Sequence, residues 1–414
     1  MRIWLIDHYA VPPKYYPLAR QTTFAKHLMQ KGHEVLIIAA STVHNSRINL
    51  VEGEQEYTEQ TVDGVRYLLI RCRQYSGNGL SRFANMMEFA AKLPKVCGRL
   101  PRPDAIVSCS MTLFACAEGL KLSKKYGCRR IAQITDLWPE SIVAYGVAPS
   151  YHPVVPMLRI LEKWIYKHSD AIIFSMEGAY DYILERGWEK DVPRDKVFFI
   201  NNGVDLKLFD SNREQYQIDD PQLRDPDLFK VVYTGAIRKA NNLGRLLDIA
   251  KLVRDERVRF LVWGDGDELE ALKLRQEREG IGNVCFKGRV EKKYVPYITS
   301  CADLNLMHVE DCPILRFGIS PNKLFDYFAA GKPVLSDFPC PYNPAISYHV
   351  SDELPDLSPA GVAGEIDRLA SLDRETLVQY GLRARKAAEA YEFDVLTQKL
   401  LDVIEGKATE ERKP

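Results

Sequence analysis

The stretch SPNKLFDYFAAG places a cation where a helix favours an anion. Ser320 is predicted to cap a helix and Pro321 to take its first position, since these residue types prefer those places. Lys323 then lies in the first turn, where the N–H groups of Asn322 and Lys323 attract negative charge. A bound phosphate would pair with Lys323, and Asp326, one turn further, is placed to accept hydrogen bonds from a ribose. The alternative is a solvated Lys323 paired with Asp326 alone.

Two glycine-containing loops follow predicted strands in the same half of the chain. In YTGAIRKANNLGRLL, Gly235 permits close approach of a ligand to the backbone, and Arg238 and Lys239 add positive charge. The loop matches neither G-x-G-x-x-G nor a P-loop, so it is a weak indication of phosphate binding by itself. The second loop, WGDGDELEALK, is more typical of a tight turn.

Short apolar runs alternate with helical patterns along the chain, which predicts parallel β-α-β units and an α/β fold. The predicted strands are 3–6, 35–40, 104–108, 129–134, 171–175, 196–200, 230–234, 259–263, 283–287, 303–307 and 333–336.

The 414 residues exceed what one compact core usually holds, so two domains are expected. A polar stretch with two prolines, near residues 203–228, is interpreted as the linker. We therefore predict two doubly wound, Rossmann-like domains facing an interdomain cleft, one over 1–205 and one over 206–393. The terminal segment 394–414 is a candidate to pack back onto the first domain. Ligands of such sheets bind outside the carboxyl ends of the strands.

Composition excludes some classes of function. Lys+Arg and Asp+Glu each number 56, so the formal net charge of zero argues against a generic nucleic-acid binder. The nine cysteines form no C-x-x-C pair, which favours free thiols over a zinc site or a disulfide framework. The start MRIWLIDHYA is not typical of a signal peptide, and the apolar runs are too short to span a membrane.

In order and spacing, these motifs resemble the family-four glycosyltransferases of the GT-B fold. The second half contributes VVYTG, VWGDGDELEALK, VCFKGRV, CADLNL and PNKLFDYFAAGKPVL; the first half contributes HLMQKGHEVLIIAA, ITDLWPESI, HSDAIIFSMEG and INNGVDLKLF. The segment TDLWPES resembles the branch that builds bacterial O-antigens, capsules and exopolysaccharides, including N-acetylfucosamine-type transferases.

The resemblance implies a retaining transfer of a hexosyl or N-acetylhexosaminyl group from a nucleotide sugar, commonly UDP-linked. The nucleotide would bind the C-terminal domain, and the acceptor, a glycan or a polyprenyl-diphosphate-linked glycan, the N-terminal one. The leaving phosphate would take the acceptor proton on the same face, so no metal and no cofactor beyond the donor is expected. Lys323 and Arg238 would stabilise the leaving diphosphate, and Asp136 would face the cleft. The alternative for Asp136 is a helix cap.

The family's pair of glutamates, eight positions apart, falls on Gly318 and Asp326. Gly318 can offer only its backbone N–H to a donor sugar, whereas Asp326 retains a carboxylate for ribose. The basic pair of the first C-terminal loop is also altered, because Ala236 stands where an arginine is common and Asn241 or Asn242 stands near the usual lysine. Arg238, Lys239 and Lys323 are the available substitutes.

Four further positions complete the expected site. Arg289 and Val290 resemble the family's turn that contacts the base. Arg20, at the start of the first helix, is placed to meet donor phosphate or acceptor pyrophosphate. His308 is interpreted as structural.

The segment 80–100 combines apolar residues at helical spacing with basic ones, on both sides of a predicted break at Pro94. Such a segment can lie in a lipid interface. The alternative is an ordinary helix packed on its own domain. The resemblance implies a polyprenyl-diphosphate-linked acceptor held at the inner face of the plasma membrane. We therefore predict a cytoplasmic protein whose segment 80–100 lines the acceptor side of the cleft and touches that membrane. Two other functions remain open: a GT-B-fold nucleotide-sugar epimerase, and a non-catalytic accessory subunit, which the missing glutamate at 318 favours.

Overall fold

A computed structural model describes residues 1–15, 20–44, 46–77, 79–110 and 112–407. Residues 16–19, next to Arg20, and the end of the predicted terminal segment, 408–414, lie outside these ranges.

The strands of the described residues follow the predicted apolar runs closely. They are β1 (Arg2–Ile6), β2 (Glu34–Ala40), β3 (Tyr57–Val62), β4 (Val65–Ile70), β5 (Ala105–Cys109), β6 (Arg130–Ile134), β7 (Ala171–Phe174), β8 (Val197–Phe199), β9 (Phe229–Thr234), β10 (Val258–Trp263), β11 (Val284–Gly288), β12 (Leu304–Met307) and β13 (Val334–Ser336).

Helices occupy most of the intervening chain. They are α1 (Arg20–Gln30), α2 (Leu80–Cys97), α3 (Leu113–Tyr126), α4 (Glu140–Ala144), α5 (Val154–His168), α6 (Ala179–Glu185), α7 (Leu206–Gln215), α8 (Pro221–Arg224), α9 (Leu243–Ala250), α10 (Leu269–Glu279), α11 (Val295–Ser300), α12 (Asn322–Ala329), α13 (Pro344–Ser347), α14 (Pro359–Ala370), α15 (Arg374–Ala390) and α16 (Phe393–Glu405). No helix in the described ranges is both long and apolar enough to cross a membrane.

The chain divides into two compact units. The first comprises Met1–Asn201 together with the segment that starts at Phe393, and the second comprises Asn202–Glu392. In the first unit, α16 packs on α1: the Phe393 ring lies edge-on to Phe24, at 5.3 Å between centroids.

The sheet of the first unit has the strand order β3-β4-β2-β1-β5-β6-β7-β8. All its neighbouring pairs are parallel except β3–β4, an antiparallel hairpin. This hairpin was not predicted, although its turn, Asp63-Gly64, has the positive φ angles that this dipeptide favours in two-residue hairpins. Apolar side chains of α1 and α16 cover one face of the sheet, and those of α2 and α3 cover the other.

The second unit contains a parallel sheet with the order β11-β10-β9-β12-β13. The direction of strand addition reverses between β9 and β12, and ligands of such sheets bind at this reversal point, beyond the carboxyl ends of the strands. The predicted α/β class with two Rossmann-like domains is therefore confirmed.

Two local predictions are wrong. The stretch interpreted as a linker contains α7 and α8, because Asp205 and Asp220 cap them by accepting hydrogen bonds from Leu208 N and Leu223 N at 2.9 Å each. The predicted break at Pro94 is also absent: α2 continues through Pro94 to Cys97. A proline within a helix has no backbone N–H and so removes one hydrogen bond. The apolar packing of the buried face of α2 can compensate for this loss.

Candidate functional site

The loops after β9 and β10 pack backbone against backbone at the carboxyl edge of the second sheet. Ile237 N donates to Asp265 O at 2.9 Å, and Gly235 N donates to Trp263 O at 3.0 Å. A Cβ atom on Gly264 would lie 1.9 Å from Gly235 O, so only glycine fits there. The Gly-Asp-Gly sequence therefore serves this close approach of two loops.

Helix α12 is fixed to the end of β9 by Tyr327. The backbone N–H of Thr234 donates to the Tyr327 hydroxyl at 2.9 Å, and both residues are buried. Because Tyr327 lies one turn after Lys323 on the same helical face, this anchor also sets the position of the Lys323 side chain.

The ammonium of Lys323 points at the β9 loop. It donates to the hydroxyl of Tyr233 at 2.9 Å and to Asn241 Oδ1 at 3.1 Å, and it lies 4.3 Å from the centre of the Tyr233 ring. It lies 3.4 Å from where a Cβ atom of Gly235 would be. The structure thus brings Lys323 and Gly235 together.

Burial lowers the pKa of Lys323 to about 7, with Asp337 opposing the shift. Its partners in the described residues are the neutral groups of Tyr233, Asn241 and the His308 carbonyl. A desolvated ammonium without a close carboxylate gains charge-assisted hydrogen bonds when an anion arrives.

Asp326 does not pair with Lys323, contrary to the alternative stated for the sequence. It is buried and forms an ion pair with Lys292. Lys292 follows the turn that contains Arg289 and Val290, so this ion pair joins that turn to α12. Arg289 is exposed, whereas Val290 packs against an apolar cluster that includes Trp263.

The predicted role of Ser320 as a helix cap is wrong. The helix begins at Asn322, after Pro321, and its first turn has no side-chain cap. Ser320 Oγ instead accepts a hydrogen bond from Asn202 N at 2.9 Å, and Asn202 Nδ2 donates to Ser320 O at 2.6 Å. Asn322 and Lys323 are then the first two helical residues, whose N–H groups lack partners within a helix.

The Gly318 N–H, which was expected to contact a donor sugar, donates to Leu315 O at 3.0 Å. Gly318 is buried with φ of 105°, a conformation that disfavours any side chain. A glutamate would be strained in this backbone conformation. Arg238 and Lys239 are exposed on the β9 loop and form no ion pair within the described ranges.

Asp136 lies in the first unit, after β6. Its carboxylate accepts a hydrogen bond from Ser141 Oγ at 3.1 Å, and burial raises its pKa. It does not cap α4, which begins at Glu140 without a side-chain cap. Arg20, in the same unit, donates to Asn201 O at 2.6 Å and Ile200 O at 2.8 Å.

His308 bridges two elements of the second unit. Its Nδ1 lies 2.5 Å from Asp337 Oδ2, its Nε2 lies 2.8 Å from Asn242 O, and the ring is fully buried. This packing agrees with a structural role.

Sequence reasoning assigned no contact to Tyr233, Asn241, Tyr327 or Lys292, although Asn241 lies near the usual lysine of the family and Tyr327 on the helical face of Lys323. Two of these left a signal: Tyr233 is the last residue but one of a predicted strand, and Tyr327 follows Lys323 by four residues, hence on one helical face. The contact of Asn241 with Lys323 and that of Lys292 with Asp326 join residues far apart in sequence, so spacing could not reveal them.

Family models cover most of the chain. One described as Glycosyltransferase Family 4 matches residues 21–208, and one described as Glycosyl transferases group 1 matches residues 229–365. The chain belongs to these glycosyltransferases. The resemblance deduced from the motifs is therefore confirmed.

Two curated relatives of this glycosyltransferase are bacterial. The chain is 23% identical over 307 residues to a probable glycosyltransferase, WbjE, of Pseudomonas aeruginosa, an alignment that covers 72% of this chain and 73% of WbjE. It is 24% identical over 325 residues to WcaI of Escherichia coli, a putative colanic acid biosynthesis glycosyl transferase. That alignment covers 73% of this chain and 75% of WcaI.

Solved structures show the same GT-B fold. HepE of Anabaena in complex with UDP superposes with a TM-score of 0.67 at 13% identity, over 98% of this chain and 100% of HepE. WaaG, a glycosyltransferase involved in lipopolysaccharide biosynthesis, superposes with a TM-score of 0.66 at 13% identity, over 98% of this chain and 100% of WaaG. At these identities the likeness concerns the fold alone.

Proposed function

We propose that this glycosyltransferase moves a sugar from a UDP-sugar to a glycan or lipid-linked acceptor in the synthesis of a bacterial surface polysaccharide. The name of WcaI supports the class of process, and the structures of HepE with UDP and with UDP-glucose support the donor class. The sugar is a hexosyl or N-acetylhexosaminyl group.

The observation that carries the proposal is the position of the Lys323 ammonium. It lies at the reversal point of a parallel sheet, beside a glycine loop and two exposed basic residues, Arg238 and Lys239. Fixed cations and helix N–H groups at such a point stabilise the charge of a leaving diphosphate. The proposed donor-binding residues are Gly235, Arg238, Lys239, Arg289, Val290, Ser320, Asn322, Lys323 and Asp326.

The proposed transfer retains the anomeric configuration. The bond between the anomeric carbon and the diphosphate oxygen breaks while the acceptor oxygen bonds to the same face of that carbon. The acceptor proton passes to the leaving phosphate oxygen. Lys323 and Arg238 stabilise the negative charge that develops on the diphosphate, so neither a metal nor another cofactor is required, and Asp136 is assigned to the acceptor side.

Contact with the inner face of the plasma membrane is part of the proposal, with the cytoplasm as the location. In the segment predicted for this contact, Leu80 and Met87 are 87% and 44% exposed. Leu93 and Val96 are instead buried in the core, and Lys95 pairs with Glu56, so only the N-terminal part of α2 offers apolar surface.

A transfer assay tests the function. The purified protein is incubated with a panel of UDP-sugars, with and without a lipid extract from polysaccharide-producing bacteria, and released UDP and glycosylated lipid are quantified. We expect acceptor-dependent release of UDP that Lys323→Ala reduces at least tenfold. Conversion of the donor to another UDP-sugar without acceptor would identify an epimerase, and failure to bind any nucleotide sugar would indicate an accessory subunit.

A further inference from the structure

The first unit has an apolar surface on α5 and the turn before it. From Ser141 to Leu158 the sequence contains no Asp, Glu, Lys or Arg. Several large apolar side chains of this region are exposed in the whole chain: Tyr145 43%, Val147 68%, Tyr151 84%, Met157 47% and Ile160 73%. Exposed apolar groups that cluster in this way mark an interaction surface.

The two faces of α5 differ in what they contact. Its inner face buries Val155, Leu158 and Ile165, together with Glu162, which accepts hydrogen bonds from Tyr166 and Tyr182. Its outer face begins with the apolar Met157 and Ile160, and a helix places these one turn apart. The exposed groups are therefore not needed to hold α5 on its own domain.

Basic residues lie further along α5 and on the neighbouring α3. They are Lys121, Lys124, Lys125, Arg159, Lys163 and Lys167, and the acidic residues of the two helices are Glu118 and the buried Glu162. Arg159 pairs with Glu140 and Lys121 with Glu118, so the lysines of α3 and α5 supply the excess positive charge. The Lys121 ammonium lies 6.0 Å from the centre of the Trp164 ring on α5. Asp191 pairs with Lys163 and Lys167 together, so this group of three keeps a net positive charge.

We propose that residues 145–160 insert into the interface of an anionic lipid bilayer, with the lysines of α3 and α5 facing the headgroups. Exposed tyrosine, methionine and isoleucine side chains beside an excess of lysine match the chemistry of a helix that lies in a lipid interface. This inference rests on the membrane contact in the proposed function, which was assigned to α2, and adds a second contact at residues 145–160. Both surfaces belong to one layer of helices, because α3 packs against α2 and against α5.

Vesicle binding tests this inference. The full chain is sedimented at low salt with vesicles of phosphatidylcholine containing phosphatidylglycerol, and with phosphatidylcholine alone. We expect the double variant Met157→Ser, Ile160→Ser to partition at least about tenfold less into anionic vesicles than the unmodified protein. Lys124→Glu with Lys125→Glu is expected to weaken binding to anionic vesicles and to reduce its dependence on salt.

Matched controls separate this surface from others. Leu274→Ser changes an equally exposed leucine on α10 of the second unit and should leave partitioning unchanged. Leu80→Ser with Met87→Ser tests α2. Thermal unfolding of each variant, followed by circular dichroism, shows whether the variant is folded. Neither this measurement nor vesicle sedimentation involves UDP, so a failure of the proposed UDP-sugar binding would be distinguished from a failure of the proposed bilayer insertion.

Three results would overturn the inference. One is an unmodified protein that does not bind anionic vesicles at low salt. Another is unchanged partitioning of the Met157→Ser, Ile160→Ser variant, including the case in which only the α2 variant loses binding. The third is a self-association, seen by light scattering, that this variant abolishes, because the apolar surface would then be an interface between two copies of the chain.

Discussion

At the scale of single residues, the charge of Lys323 depends on what occupies the site. Its pKa of about 7 in the free protein would rise when a diphosphate lies beside it, because an opposite charge favours the ammonium form. Binding of UDP above pH 7 should therefore take up a proton. We expect the affinity to fall by up to about tenfold per pH unit between pH 7 and 9.

Calorimetric titration with UDP in two buffers of different ionisation enthalpy measures this proton uptake. The control is Lys323→Arg, because a guanidinium stays charged across this range and should remove the pH dependence. Lys323→Ala should weaken UDP binding by roughly 1.5–3 kcal/mol while changing uridine binding less. Equal proton uptake by Lys323→Ala and the unmodified protein would refute the assignment.

At the scale of elements, the β9 and β10 loops depend on glycine at their contact. A Cβ atom on Gly264 would lie 1.9 Å from Gly235 O, and backbone cannot move aside as a side chain can. We expect Gly264→Ala to destabilise the second unit by about 3 kcal/mol or more, at the upper end of the usual cost of overpacking. It should also displace the loop that holds Asn241 and so weaken UDP binding.

Hydrogen exchange measures the first effect, as faster exchange of the amides of Gly235 and Ile237, which donate across this contact. Gly364→Ala is the matched control, since nothing lies within 4 Å of a Cβ atom there and alanine is the better helix former. Protection of Gly235 and Ile237 that is the same in both variants would contradict this account of the loop contact.

At the scale of the whole molecule, donor binding should stabilise the second unit directly. Ligand at about 100 times its Kd contributes about 2.7 kcal/mol to the binding unit, by mass action. We expect UDP to raise the melting temperature equally with EDTA and with magnesium, because the proposed site supplies its own cations. Differential scanning calorimetry measures this shift, with uridine as the control.

A shift that disappears in EDTA would show that a divalent ion bridges the diphosphate and the protein. Because the chain forms two compact units, each unit can give its own unfolding transition in the calorimetric trace. An increase confined to one transition would indicate which unit binds UDP.

The sequence by itself determined the alternation of strands and helices, the two sheets and the family. These depend on local apolar periodicity and on motif order, which a sequence displays directly. It also indicated Lys323, because a lysine in the first turn of α12 is unfavourable without an anion. The α7 and α8 helices and the β3–β4 hairpin also have local signals in the sequence, namely their aspartate caps and the Asp63-Gly64 turn.

Only the tertiary structure decided what each candidate side chain contacts. Lys323 meets Tyr233 and Asn241, and Asp326 meets Lys292, since the fold joins residues 34 to 90 positions apart. The Ser320 hydroxyl accepts a hydrogen bond from Asn202 N, 118 positions away, instead of from the helix that it precedes. Such partners depend on loop paths and on how many acceptors each side chain finds nearby, and neither quantity is encoded in spacing along the chain.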